Sequence, residues 1–136
     1  MSNKETIASI YKAFLEGDIP FILSQLADDV EWGYATDNSS QKKDLPWMKL
    51  YSGRESVNDF FKAVEKMEIY QFDILSLLEG ENEVAARLNI GCKYFLDEII
   101  HFWTFDDDGK VIRYQQFTDT AKHIAGFESA ERSAAA

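Results

Sequence analysis

One histidine in a strand-like segment is the best candidate for acid–base catalysis. His101 lies between apolar neighbours in the run 99–105. A half-buried imidazole titrates near neutrality and can act as an acid or a base. The alternative is a core histidine whose hydrogen bonding is satisfied by Gln116 on the next strand. Both interpretations place His101 on the inner face of a sheet.

Large rings with polar tips accompany this histidine on several predicted elements. Such side chains form flat walls that suit a cyclic or aromatic ligand. Ordinary core packing would need the same residues, so the pattern leaves both interpretations open. The residues predicted to line a pocket are Trp32, Tyr34, Trp47, Phe61, Trp103, Tyr114 and Gln116.

Metal and redox chemistry have little support in the sequence. His101 and His123 are far apart, and no pair of histidines or cysteines has the spacing of metal ligands. The single Cys92 cannot form an internal disulfide and is predicted to be a small core residue. The acidic runs at 28–29 and 106–108 are typical of solvated turns. We therefore predict no metal and no cofactor.

Length and charge narrow the class of protein. The chain has 136 residues and a formal net charge of −10, without a local cluster of Lys or Arg. This predicts one domain that binds neither nucleic acid nor an anionic membrane. The N-terminus has no long apolar run, and no segment reaches the roughly 18 apolar residues of a membrane span, which favours a cytoplasmic protein. We assign residues 1–128 to the domain and 129–136 to a frayed tail.

Three helices are predicted from apolar periodicity. The first follows a capping box formed by Ser2 and Glu5, and a short second helix begins at Asp18 with Pro20 in its first turn. The third has the clearest stripe and a second capping-box pattern at 52–55. Its apolar positions are Val57, Phe60, Phe61, Val64 and Met67.

The strands follow mainly in the second half of the chain. Strand-like runs cover 30–34, 70–78, 84–94, 99–105 and 110–118, and the polar segment 35–50 is typical of a lid. Helices followed by a meander of strands indicate an α+β fold rather than alternating βαβ units. The helices are expected to cover one face of the sheet.

The register of the last hairpin follows from its turn. Asp108-Gly109 predicts a two-residue turn in which Asp107 pairs with Lys110. Counting back from it pairs residue 105 with 112, 103 with 114, and 101 with 116, all on one face. The opposite face then carries residues 100, 102 and 117, which are also apolar. An apolar second face predicts a homodimer.

Three segments carry a resemblance to a known family. They are residues 11–18 (YKAFLEGD), 26–32 (LADDVEW) and 53–61 (GRESVNDFF), with the closing segment 102–120 added to them. With them, nearly the whole chain resembles the ketosteroid isomerase-like, or nuclear-transport-factor-2-like, superfamily and its SnoaL-like polyketide cyclase group. The resemblance implies a cone-shaped curved antiparallel sheet, wrapped by three helices around a ligand cavity.

The resemblance also implies site residues. Tyr11 lies within one residue of the helix tyrosine of ketosteroid isomerases, Tyr34 replaces their aspartate base, and His101 stands near their second acid. Asp119 is the nearest match to the catalytic aspartate that several family enzymes carry near the final strand. We therefore take His101, Asp119 and Tyr11 as catalytic candidates, although strict alternation turns Asp119 away from His101.

These observations give one leading function and its rivals. The leading hypothesis is a cofactor-independent isomerase, cyclase or hydrolase that acts on a small apolar or cyclic molecule. The alternatives are a non-catalytic protein that binds such a molecule, and a dimeric scaffold whose interior is filled by its own aromatic residues.

Overall fold

One six-stranded sheet organises the chain. The computed structural model describes residues 1–33, 38–39 and 43–135. In these residues the strand order is β2-β1-β6-β5-β4-β3. The strands are β1 (Leu26–Gly33), β2 (Tyr51–Ser52), β3 (Gln71–Glu79), β4 (Glu83–Gly91), β5 (Leu96–Phe105) and β6 (Val111–Phe117). The predicted α+β class is confirmed.

The sheet is not wholly antiparallel. Strand β1 runs parallel to β6, with Trp32 next to Tyr114, whereas the other neighbouring pairs are antiparallel. The two strands are far apart in sequence, and the chain between them contains a helix and four strands of the sheet. Parallel neighbours need such a long connection. The predicted antiparallel sheet is therefore observed, with one parallel pairing between β1 and β6.

The first two helices begin where their capping residues predict. In α1 (Asn3–Glu16) the Ser2 hydroxyl accepts a hydrogen bond from the Glu5 amide, and the capping box is complete. Gly17 ends the helix in the left-handed conformation. Helix α2 (Ile19–Ser24) is capped by Asp18, whose side chain accepts from the Phe21 amide.

Helix α3 (Arg54–Glu65) has the predicted apolar stripe but not the predicted cap. Val57, Phe60, Phe61 and Val64 are buried. Gly53 is the N-cap, and no side chain caps it. The Ser52 hydroxyl donates to Glu31 instead, because β2 pairs with β1 and sets these two residues opposite each other. The second capping box was therefore wrong.

A fourth helix covers the segment that we predicted to end in a frayed tail. Helix α4 runs through Thr120–Ala135 and buries His123, with Ile124 and Phe127 packed against the core. Residues 129–135 continue this helix, although most of them are exposed. The sequence signal for this helix is weak because Gly126 interrupts a short apolar stripe. Four helices, not three, therefore pack with the sheet.

The last hairpin reaches the predicted register by a different turn. Asp106 pairs with Lys110 around the three residues 107–109, and Gly109 is left-handed with φ 78°. This is the three-residue loop that ends in a glycine bulge. The register shifts between Thr104 and Phe105, so Phe105 pairs with Val111 rather than with Ile112. On the other side of this shift the predicted pairs His101–Gln116 and Trp103–Tyr114 are formed.

The two faces of the sheet differ as alternation requires. Ile99, His101 and Trp103 are buried on the inner face, whereas Ile100 and Phe102 are only half-buried on the outer face. Phe117, also on the outer face, is 48% exposed. A homodimer through this face stays a prediction. Within the described ranges, no helix has the length and apolar content needed to cross a membrane.

Helix α4 depends on a close contact that gives a test of the fold. A Cβ at Gly126 would overlap the carbonyl oxygen of Tyr94. In a free helix Gly126→Ala would stabilise by about 1 kcal/mol, but here we expect it to lower the free energy of unfolding, because α4 must move. Urea denaturation measures the sign. Gly80→Ala, where the nearest atoms are 3.8 Å away, is the control and should change little.

Candidate functional site

The inner face of the sheet presents two rows of functional side chains. Trp32 of β1, Tyr114 of β6 and Trp103 of β5 lie side by side in one row, because their strands pair at these positions. Gln116 and His101 form the next row. Trp32 stacks on Tyr114 with ring centroids 4.0 Å apart. The rows are rigid because every member is buried on regular strands.

Helices α1 and α3 close these rows into a cavity of about 70 Å³. Tyr11 and Phe14 come from α1, and Phe61 comes from α3. The candidates that the structure brings to its wall are Tyr11, Trp32, Trp47, Phe61, His101, Trp103, Tyr114 and Gln116. Tyr34 lies outside the described residues, as do residues 35–37 and 40–42 of the segment 35–50 that was predicted to be a lid.

A hydrogen-bond relay joins three of these residues. The Trp103 indole N–H donates to the Tyr11 hydroxyl oxygen over 3.0 Å, and that hydroxyl lies 2.8 Å from Nδ1 of His101. An indole nitrogen can only donate, so the tyrosine oxygen is the acceptor and its own proton is free for His101. Tyr11 therefore donates to Nδ1, and the neutral imidazole carries its proton on Nε2.

Burial holds both titratable members of the relay neutral. It lowers the pKa of His101 to about 3, and the nearby Gln116 side chain opposes this only in part. Burial also raises the pKa of Tyr11 well above its usual value, although the bond from Trp103 works in the other direction. A neutral imidazole with a protonated Nε2 is thus the state of His101 near pH 7.

Two buried N–H donors on the cavity wall lack an acceptor. Nε2 of His101 and Nε1 of Trp32 have no hydrogen-bond partner among the described residues. Trp32 is 2% exposed and His101 is 6% exposed, so water does not replace the missing acceptors freely. Each such donor costs about 1–3 kcal/mol of folding free energy. An acceptor atom in the cavity would recover that cost.

The rest of the wall is almost entirely apolar. Among the described residues that line the cavity there is no Lys, Arg, Asp or Glu. The wall therefore offers hydrogen-bond donors without a charge. Such a site suits a neutral oxygen and disfavours a carboxylate, whose burial needs a cation or a dense set of donors.

A second buried relay fixes the side of the cavity next to the turn at Pro46–Met48. The Trp47 indole N–H donates to Nδ1 of His123 over 3.1 Å, and Nε2 of His123 lies 2.9 Å from a carboxylate oxygen of Asp97. His123 also stacks on Phe95 at 3.7 Å. Burial lowers the pKa of His123, with Asp97 opposing it. Sequence analysis missed this group because its three partners come from distant segments.

Asp119 does not enter the cavity. Its carboxylate is exposed and accepts from the Lys122 amide, so it caps α4. Its own amide donates to Asp97 over 3.0 Å. The aspartate candidate is thereby a helix-capping residue, and His101 and Tyr11 are the two catalytic candidates that the structure brings together.

A comparison with protein families identifies the fold. The model of the SnoaL-like domain matches residues 7–114, which include α1, α3, the relay and most of the sheet. This chain belongs to the SnoaL-like domain family. No curated protein matches it significantly in sequence.

Solved structures show the same fold at low sequence identity. An NTF2-like protein from Burkholderia pseudomallei is 22% identical, with 92% of this SnoaL-like chain and 97% of that chain aligned and a TM-score of 0.74. TerC, co-crystallised with polyporic acid, is also 22% identical, with 93% and 98% covered and a TM-score of 0.73. A protein of suspected polyketide cyclase function from Sinorhizobium meliloti is 11% identical, with 83% and 94% covered and a TM-score of 0.67.

The protonation state of His101 can be tested directly. Its depressed pKa predicts that Nε2 stays protonated and Nδ1 bare from pH 7 to about pH 4.5, which ¹⁵N chemical shifts of the imidazole report. The unfolded state binds this proton near pH 6.5, so stability falls as the pH is lowered below that value, by about 1.4 kcal/mol per pH unit for this group. His101→Gln should reduce the slope by that amount. A normal titration of His101 near pH 6.5 would contradict the assignment.

The relay also has an energetic test. Tyr11→Phe removes the acceptor of the Trp103 N–H and the donor to His101 at once. Two buried polar groups are then unpaired, so we expect a loss of about 2–4 kcal/mol in urea denaturation. The control is Tyr70→Phe, whose side chain is 68% exposed and which should lose less than about 0.5 kcal/mol. Equal losses in both variants would show that the relay does not stabilise the fold.

Proposed function

We propose that this SnoaL-like protein binds a small, neutral, mostly apolar molecule through a carbonyl-type oxygen. The observation that carries this proposal is the pair of buried, unpartnered N–H donors, His101 Nε2 and Trp32 Nε1, on the wall of one cavity. A scaffold filled only by its own side chains would have no use for two such donors, and natural cores rarely leave them unpaired.

The charge of the site selects a neutral ligand. The relay leaves His101 uncharged, and the lining residues in the described part of the chain include no cation. The chain as a whole has a net charge of −10, which repels anions at long range. A ketone, aldehyde, ester or quinone oxygen can accept a hydrogen bond from such a donor without the desolvation cost of a carboxylate.

The aromatic walls favour a ring next to that oxygen. Trp32, Trp103 and Tyr114 present flat surfaces in contact with one another, and aromatic walls bind planar apolar groups well. TerC, which shares the fold, was co-crystallised with the small molecule polyporic acid. This supports a small organic ligand for the present chain, although at 22% identity it supports no particular compound.

A second candidate function is a cofactor-independent isomerase, cyclase or hydrolase, which the bond between Tyr11 and His101 favours. In this function His101 would polarise a carbonyl with its Nε2–H while negative charge develops on the oxygen. A full proton transfer along the relay would leave a tyrosinate, which the raised pKa of Tyr11 opposes. The described lining residues include no carboxylate to act as the base, so binding is the better supported function.

A matched pair of ligands tests the proposal. Cyclohexanone carries a ring ketone, and cyclohexane has the same ring without the oxygen. We expect cyclohexanone to bind several-fold more tightly in NMR titrations, because a buried N–H donor gains an acceptor, which contributes about 0.5–1.5 kcal/mol net. Trp32→Phe should reduce this preference for the ketone, because the indole N–H is lost, whereas the smaller ring affects the binding of both compounds alike.

The control variant is Trp47→Phe, which makes the same substitution elsewhere on the cavity wall. Its N–H already donates to His123, so its removal should leave the preference for cyclohexanone over cyclohexane intact. Equal binding of the two compounds by the unmodified protein would refute the proposal. Turnover of a cyclic ketone that is lost in His101→Gln would move the second candidate function to first place.

A further inference from the structure

A second apolar space adjoins the cavity. This outer groove has a volume of about 400 Å³ and lies between the turn that joins α1 to α2 and the end of α3. Gly17, Ile19 and Glu65 line the groove but not the cavity. The four side chains that line both the groove and the cavity are Phe14, Phe61, Val64 and Ile69. These four side chains therefore form a wall that the two spaces share.

The cavity by itself is too small for a whole ligand of ordinary size. About 70 Å³ is room for roughly five water-sized groups, whereas pockets for small molecules are typically about 300–1,000 Å³. The cavity and the groove together reach that range. A molecule that presents its oxygen to His101 and Trp32 must extend past Phe14 and Phe61 as soon as it is larger than a single ring.

Polarity gives the ligand a direction. The two unpartnered N–H donors of His101 and Trp32 are on the cavity side, because both residues line the cavity and neither lines the groove. The side chains that line the groove are apolar except for the exposed Glu65. Phe14 and Phe61, with ring centroids 6.1 Å apart, form the neck between the two spaces. Phe14 is only half-buried, so its ring has room to turn on the solvent side.

We propose that the ligand of this protein is elongated, with a carbonyl-bearing ring in the cavity and a flexible apolar chain in the outer groove. This inference rests on the proposed function and names the class of molecule: a neutral ring ketone or quinone with an alkyl or alkenyl substituent away from the oxygen. Ile19 and Val64 contact the chain, and the end of the chain lies near Glu65.

A series of 4-alkylcyclohexanones tests this class. The parent ketone, cyclohexane and the butyl, hexyl and octyl derivatives of the ketone are titrated against the full chain, with NMR shifts for the weak ligands and calorimetry for the tight ones. Each methylene that enters the groove should tighten binding about fourfold, until the groove is filled and the gain stops. The parent ketone should bind more tightly than cyclohexane.

Matched variants locate the chain. Ile19→Ser makes the groove polar and should weaken the octyl derivative about fivefold or more, while the parent ketone is unaffected. Leu15→Ser is the control, since Leu15 is near the groove in sequence but is 60% exposed and does not line it. Glu65→Leu lengthens the apolar wall and should tighten binding of the octyl derivative. The variants therefore predict one gain and one loss of affinity.

The outcomes separate the two proposals. A preference for the parent ketone over cyclohexane, with no dependence on chain length, would overturn the elongated ligand and keep the proposed function. A chain-length gain that is the same in Ile19→Ser and Leu15→Ser would also overturn it, because the chain would then lie elsewhere. Absence of any preference for the ketone would refute the proposed function itself, and this inference with it.

Discussion

The site depends on a property of one indole ring: its nitrogen can donate a hydrogen bond but cannot accept one. Trp103 therefore makes the Tyr11 oxygen an acceptor, Tyr11 passes its proton towards Nδ1 of His101, and the imidazole proton is left on Nε2. Helix α1 and strand β5 are joined by these bonds. The same bonds set the orientation of the His101 imidazole, whose Nε2 is the polar atom proposed to contact a ligand at this end of the cavity.

Under the proposed function, the cavity loses folding stability in exchange for ligand binding. A fully satisfied core would pair the N–H groups of Trp32 and His101, yet both are buried without an acceptor among the described residues. Their cost is tolerated because the surrounding rings pack closely. Trp32 alone contacts the rings of Phe60, Phe61, Trp103 and Tyr114 at centroid distances of 4.0–5.8 Å. Such packing holds the donors in place before a ligand arrives, which lowers the entropic cost of binding.

The second relay has a different consequence. Trp47, His123 and Asp97 connect the turn at Pro46–Met48, helix α4 and strand β5 by buried hydrogen bonds. The hydrogen-bonding groups of all three side chains have partners. Trp47 therefore contributes only its apolar ring to the cavity wall. The two histidines are therefore alike in burial and protonation but differ in hydrogen bonding: Nε2 of His123 is bound to Asp97, whereas Nε2 of His101, a residue of the cavity wall, has no partner among the described residues.

Local patterns in the sequence were enough to determine the first three helices, the inner face of the last hairpin and the pairing of His101 with Gln116, because these depend on periodicity and on residues close in sequence. The cap of α3, helix α4 and the parallel pairing of β1 with β6 depended on the tertiary structure. Ser52 bonds to Glu31 only once two distant strands pair. Helix α4 is held by a close contact between Gly126 and Tyr94. Asp119 faces solvent because its side chain caps the helix that follows it. The sequence also named most of the aromatic wall but could not show which donors lack a partner. That property belongs to no single residue, because it is decided by every side chain that packs around Trp32 and His101.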